Sequence, residues 1–151
     1  MNLLGKICYF ITKKADQYQR KKLENRFKHV KIGKDVIITG DVKIKAGVII
    51  HNFVTIIATE PAKIFIGKDT FINARTEIRT ESRHADRKLV NKDIFIGRNV
   101  LIGPNCYLCG SLDIFDHSTI GVNSYLYAKS IKGVFHNGRK ENESSNIISS
   151  S

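Results

Sequence analysis

The sequence predicts an all-β protein built as a parallel β-helix and preceded by a short N-terminal α-helix. Three observations carry that expectation. Aliphatic residues recur at every sixth position over most of the chain. Compact residues form a second column with the same period. Ile is in excess, with 22 Ile against 8 Leu and 9 Val, and β-branched side chains favour extended backbone over helix. The 151 residues, 42% hydrophobic and 26% charged, suffice for one domain with a real core.

The first column starts at Ile32 and continues through Ile38, Ile44, Ile50 and Ile56. A four-residue slip follows around Pro61. The register resumes at Ile66 and runs through Ile72, Ile78, His84, Val90, Ile96, Ile102, Leu108, Ile114, Ile120 and Leu126. Fifteen of the sixteen positions are Ile, Leu or Val. The second column lies four residues after each anchor: Val36, Val42, Val48, Val54, Thr70, Thr76, Ser82, Val100, Cys106, Leu112, Ser118, Ser124 and Ser130. Glycine follows the anchor at positions 33, 67, 97, 103 and 121, where it is expected to tolerate a strained corner. A period of six fits neither the 3.6 of an amphipathic helix nor the 2 of a hairpin sheet. Three hexads per coil, with coils stacked about 4.8 Å apart, give each anchor an interior place and each compact residue a corner.

The hexads Ile96-Gly97-Arg98-Asn99-Val100-Leu101 and Ile102-Gly103-Pro104-Asn105-Cys106-Tyr107 resemble those of the hexapeptide-repeat acyltransferases. The resemblance covers residues 32–140 and implies a left-handed parallel β-helix. The organisation expected is a helical arm over 1–28, a repeat domain over 29–140 and a disordered polar tail over 141–151.

Position 84 is the one anchor that is not aliphatic. Residues 79–93 hold eight charged side chains, too many for a buried wall, so this stretch is expected to be a loop extruded from the helix. Such excursions concentrate function. The sequence Thr80…His84, followed by Ile94-Phe95-Ile96-Gly97-Arg98-Asn99-Val100-Leu101-Ile102-Gly103, resembles the family segment that carries the catalytic histidine, with Leu101 where an aromatic is common. The resemblance implies His84 as the general base. Imidazole titrates near neutrality and can take the proton of an attacking hydroxyl. Asn73 resembles an acceptor-binding asparagine of relatives, and it also suits an Asn stacked along the coil. Asp86 or Glu81 could orient the imidazole.

Near the C-terminus, Ile120-Gly121-Val122-Asn123-Ser124-Tyr125-Leu126-Tyr127-Ala128-Lys129 and Val134-Phe135-His136-Asn137-Gly138-Arg139-Lys140 resemble the last coils of the family. There the resemblance implies a groove for acetyl-CoA. It assigns Gly103, Gly121 and Ser124 to that groove, with Lys129, Lys132, Arg139 and Lys140 as partners of the coenzyme phosphates. His136 and Gly138 depart from the family pattern, which has Gly and Pro there.

No metal site is expected: His51, His84 and His117 are spaced by 33 residues, which is not a multiple of an 18-residue coil. Cys106 and Cys109 form a C-x-x-C, but their repeat positions mark packed or surface thiols, not a redox pair.

The net charge of +11 is uneven. Residues 1–34 hold ten Lys/Arg and two acids, and the remaining chain holds fifteen and twelve. A nearly balanced body argues against nucleic-acid binding. In the arm, Leu3, Leu4, Ile7, Cys8, Phe10 and Ile11 follow helical spacing. Two readings stay open for it: a cap over the open end of the β-helix, or a basic amphipathic helix on an anionic membrane. No secretory signal is evident, and the odd cysteine count fits a reducing cytoplasm, at the inner membrane face if the second reading holds. Together these features lead to an acetyl-CoA-dependent O-acetyltransferase acting on a sugar in capsular polysaccharide or lipopolysaccharide assembly, and the resemblance implies a homotrimer. The alternatives are an amino-sugar or nucleotide-sugar N-acetyltransferase and a non-catalytic β-helix that binds or scaffolds.

Overall fold

A computed structural model describes residues 3–83, 89–136 and 139–140. The expectations for His84, Asp86 and the tail 141–151 lie outside the described residues. The body winds as a three-sided parallel β-helix. The first face stacks Lys31–Ile32, Ile49–Ile50, Phe71–Ile72, Leu101–Ile102, Thr119–Ile120 and Val134–His136, all parallel. The second stacks Ile37–Thr39, Thr55–Ile57, Glu77–Arg79 and the opening residues of two longer strands, Tyr107–Ile114 and Tyr125–Ile131. The third stacks Val42–Ile44, Ile64–Ile66, Ile94–Ile96 and the closing residues of those same two strands.

The sixfold column becomes three vertical stacks inside the coil. On the first face Ile32, Ile50, Ile72, Ile102, Ile120 and Phe135 lie in register. Most anchors are fully buried, and burying such a side chain contributes about 1.5–3 kcal/mol. The compact column also points inward, two residues before the next anchor. Along the walls, its described hydroxyls are paired: Thr70 Oγ1 donates to the Gly97 carbonyl at 2.8 Å, Thr76 Oγ1 to Gly103 at 3.0 Å, and Ser118 Oγ to Ile131 at 3.3 Å. A buried hydroxyl without a partner would destabilise the coil.

The corner glycines do something other than tolerate strain. The left-handed backbone falls three residues after the anchor, at Asp35, Phe53, Asp69, Arg75, Asn99, Asn105, His117 and Asn123, a position dominated by Asn and Asp, which accept it best. Glycine directly after the anchor instead permits close approach between coils. A Cβ on Gly67 would lie 2.4 Å from the carbonyl carbon of Gly97.

The second-to-third-face corner is the irregular one. The slip around Pro61 lies between Thr55–Ile57 and Ile64–Ile66, and the larger excursion lies between Glu77–Arg79 and Ile94–Ile96. In that excursion Glu81–Arg83 and Leu89–Asn91 pair antiparallel. Val90 therefore belongs to a hairpin and not to the wall, and Ile64 and Ile94 supply wall positions outside the sixfold count, both at 0% exposure.

The helix runs over Leu3–Arg26 and buries only Leu23. Leu23 and Phe27 join the core cluster, and the Arg26 guanidinium donates to the Gly40 carbonyl at 2.9 Å. Among the described residues, no helix is long and apolar enough to cross a membrane.

Candidate active site

The excursion is rigid at its root. Thr80 is fully buried, and its Oγ1 accepts the Thr59 N–H at 2.9 Å. Asn91 Nδ2 donates to the carbonyls of Thr59 and Glu60 at 3.0 and 2.9 Å. Two carbonyl partners fix which end of the amide is nitrogen. Asp93 Oδ1 accepts the Lys63 N–H at 2.8 Å. The two insertions at this corner are thus tied to each other, and the segment that begins at His84 joins the two strands of the pinned hairpin.

The hairpin packs on Tyr107–Ile114. Beneath it Cys109 is buried, with Sγ 3.7 Å from the Tyr125 hydroxyl. Tyr107 and Tyr125 stack in parallel at 5.6 Å, beside the Glu77–Arg79 ion pair. The contact with Cys109, then partial burial, pushes the Tyr125 hydroxyl above its ordinary range. Burial, then the charges of Cys109 and Glu77, does the same to Tyr107. Both phenols stay protonated and able to donate at neutral pH. Cys106 points the other way, into the coil, with Sγ 3.1 Å from the Gly121 carbonyl, and burial pushes its thiol up. Cys106 just precedes the strand Tyr107–Ile114 that carries Cys109, and the two sulfurs lie on opposite sides of the wall.

Two adjoining cavities line the third face. The first, about 410 Å³, is bounded by Pro61, Asn91, Lys92, Asp93, Phe95 and Asp113. The second, about 670 Å³, shares Phe95 and Asp113 and extends over Phe65, Ile114 and Phe115 to Lys132. Phe65 and Phe95 stack with their planes 3° apart at 4.9 Å, and the Lys43 ammonium sits 5.4 Å above Phe65. The strip passes from a polar end at the hairpin root, across an aromatic floor, to an end lined by Lys132 and Asp116.

The residues singled out in the sequence are divided among four places. Lys132 lines the strip. Lys129 lies in Tyr125–Ile131, opposite Leu112, and Arg139 and Lys140 lie in the closing strand paired with Val134–His136. Gly103, Gly121 and Ser124 sit at the first-to-second-face corner. There a Cβ on Gly103 would be 2.8 Å from the Val122 nitrogen, and the buried Ser124 hydroxyl donates to the Gly121 carbonyl at 2.7 Å. These three hold coils together and present no side chain to the strip. Asn73 shares that corner, and its Nδ2 donates to the Ile102 carbonyl at 3.1 Å. Glu81 is half-buried in the hairpin, across the width of the second face from Asn73. His51 and His117 are exposed, and among the described residues no cluster of three or more His, Cys, Asp or Glu could hold a metal.

The sequence reading missed the Tyr107–Tyr125 pair, the Phe65–Phe95 pair and Asn91. Aromatics one residue before the anchors 66, 96, 108 and 126 were the available signal.

No protein-family model matches the chain, and no curated protein sequence does. Among solved structures the fold is similar to the crystal structure of PerB from Caulobacter crescentus in complex with CoA and GDP-perosamine. The likeness has a TM-score of 0.46 at 14% identity, covers 80% of this chain, and spans only 60% of that one.

Proposed function

We propose that the protein is an acetyl-CoA-dependent O-acetyltransferase of a sugar hydroxyl, with His84 as general base. The carrying observation is the pinned hairpin at the second-to-third-face corner. Its joining segment begins with the only non-aliphatic anchor in the ladder, and its root opens onto the strip ending at Lys132. In this reading the strip holds the donor, with Lys129, Arg139 and Lys140 as further phosphate partners. Asp86 or Glu81 orients the imidazole. The hydroxyl oxygen attacks the thioester carbonyl as His84 takes its proton. The C–S bond then breaks, the thiolate leaves, and the imidazolium returns the proton to sulfur. Holding both reactants side by side makes a protein nucleophile unnecessary.

Asn73 sits at the opposite end of the second face from the hairpin. A homotrimer with sites between copies, as the family resemblance implies, would resolve that separation.

The test is release of free thiol from acetyl-CoA against a panel of sugars, nucleotide sugars and oligosaccharides, offering both hydroxyl and amine acceptors, with His84→Ala alongside. Turnover on a hydroxyl acceptor, lowered at least roughly a hundredfold by the substitution, is the expected result. Equal turnover in both proteins removes His84 from the chemistry. Turnover confined to amine acceptors converts the reading to N-acetylation. No turnover, with no coenzyme A binding by calorimetry, leaves a scaffold.

A further inference from the structure

The N-terminal helix turns its polar side inward and its apolar side outward. Inward, the last turn buries Leu23, and Phe27 just beyond it is also buried. The same side runs back through Arg20, Asp16, Thr12 and Tyr9, which with Lys34 and Asp35 of the first coil enclose a polar cleft of about 400 Å³. Outward lie Leu3, Leu4, Ile7, Phe10, Ile11 and Tyr18, each 48–75% exposed. At 3.6 residues per turn these six fall within about a third of the circumference. A helix serving only as a cap would turn that stripe to the core. Here the last turn does the capping, and the preceding four turns leave an apolar stripe on the solvent side.

We propose that this stripe docks on the surface of an anionic lipid bilayer, with the helix lying in the interfacial plane. Three observations select that occupant. The stripe carries cations of its own: Lys14 sits 4.6 Å over the Phe10 ring, and Lys21 and Lys22 continue the same side one turn on. Residues 1–34 carry eight net positive charges, against three for the remaining 117 residues, so the charge is concentrated where the stripe is. The helix is too polar to span a bilayer, yet its apolar residues and the cations interleaved with them match a helix that sinks its apolar side among headgroups. A second copy of the same helix would set these cations against each other. The inference is independent of the proposed activity.

The test is co-sedimentation of the full chain with vesicles of phosphatidylcholine alone, and of phosphatidylcholine with about a quarter phosphatidylglycerol. The protein should pellet with the anionic vesicles and stay in solution with the neutral ones, with salt weakening the binding. The pair Ile7→Glu and Phe10→Glu should lower partitioning at least roughly tenfold. The pair Lys14→Gln and Lys21→Gln should lower it roughly fivefold per cation. All these positions are exposed, so thermal unfolding should be unchanged, which separates lost docking from lost folding. Failure to pellet with anionic vesicles overturns the proposal, as does equal pelleting of the Ile7/Phe10 variant. A fall in oligomer mass by light scattering in that variant, without vesicle binding by the unaltered chain, assigns the stripe to a second copy and overturns it too.

Discussion

Asn91 is the residue through which the fold holds the excursion, and Asn91→Ala measures how firmly. The substitution removes two hydrogen bonds, at 3.0 and 2.9 Å, to the carbonyls of Thr59 and Glu60. Each such bond is worth about 0.5–1.5 kcal/mol net, so the pair bounds the effect at roughly 1–3 kcal/mol. The freed carbonyls lie beside the 410 Å³ cavity, where water can replace the amide. The expected loss is therefore near the lower bound, a five- to tenfold rise in hairpin opening by the rule of about 1.4 kcal/mol per decade. Because the hairpin stands outside the stacked coils, the loss should stay local. Hydrogen exchange read by mass spectrometry should quicken about that much in peptides covering 80–83 and 89–93, with peptides from 100–126 unchanged. Asn91→Asp should open the hairpin further, since a carboxylate would face two carbonyl oxygens. If the hairpin holds His84 over the donor strip, kcat falls while the KM for acetyl-CoA stays put. Unchanged protection in the hairpin, or equal acceleration along the whole chain, would refute the pinning.

Other expectations follow from the walls and corners. Ile72→Ala, at a site with no exposure, should cost about 2–5 kcal/mol and lower Tm by roughly 5–20 °C, read by calorimetry; a loss below about 1 kcal/mol would deny the stack its role. Gly67→Ala forces a Cβ to within 2.4 Å of backbone in the next coil and should cost about 1–3 kcal/mol in urea unfolding. Asp116 accepts the Arg98 N–H at 2.8 Å and the Arg98 Nε at 2.7 Å. The backbone bond first, then the side chain, holds its carboxyl below the ordinary 3.8. A depressed carboxyl pKa stabilises the fold above the unfolded value and loses that contribution as pH falls through the folded one. Asp116→Asn should therefore be less stable than the unaltered chain at about pH 7 and converge with it as pH falls from the ordinary carboxyl value through the folded one, checked by urea midpoints across that acid range.

The coil was legible because its rule is one-dimensional. One large aliphatic per hexad and one compact residue two places before the next are visible in a single chain, and the structure seats Ile50, Ile72, Ile102 and Ile120 in one vertical stack. The hairpin was legible as a breach of the same rule, through the charge at 79–93. What the hexads could not convey was which side of the prism each residue meets. Ser124 and Lys129 are five residues apart, yet Ser124 faces inward at one corner while Lys129 lies on the third face. The strip was invisible for the same reason: Phe65 and Phe95 are 30 residues apart because the excursion lengthens that turn of the coil. The glycines were found by period but assigned the wrong task, since the strain they were thought to absorb falls two residues later.

That displaced strain leads to the last prediction. At the first-to-second-face corner the left-handed position is filled by Asp35, Phe53, Arg75, Asn105 and Asn123. The three Asx residues accept it readily, whereas Phe53 and Arg75, at φ 61° and 58°, pay about 1–2 kcal/mol each for a Cβ crowded against the following carbonyl. They are neighbours in successive coils, and the Arg75 guanidinium sits 5.9 Å from the Phe53 ring, an exposed contact worth about 0.5–1 kcal/mol. A single Phe53→Asn or Arg75→Asn relieves one strain and forfeits the contact, so each should gain between nothing and about 1.5 kcal/mol. The double variant relieves both strains while forfeiting the contact once, and should gain about 1 kcal/mol or more. The two substitutions should therefore be more than additive in a double-mutant cycle followed by urea unfolding. A double variant less stable than the unaltered chain would mean that the stacked pair outweighs the backbone strain.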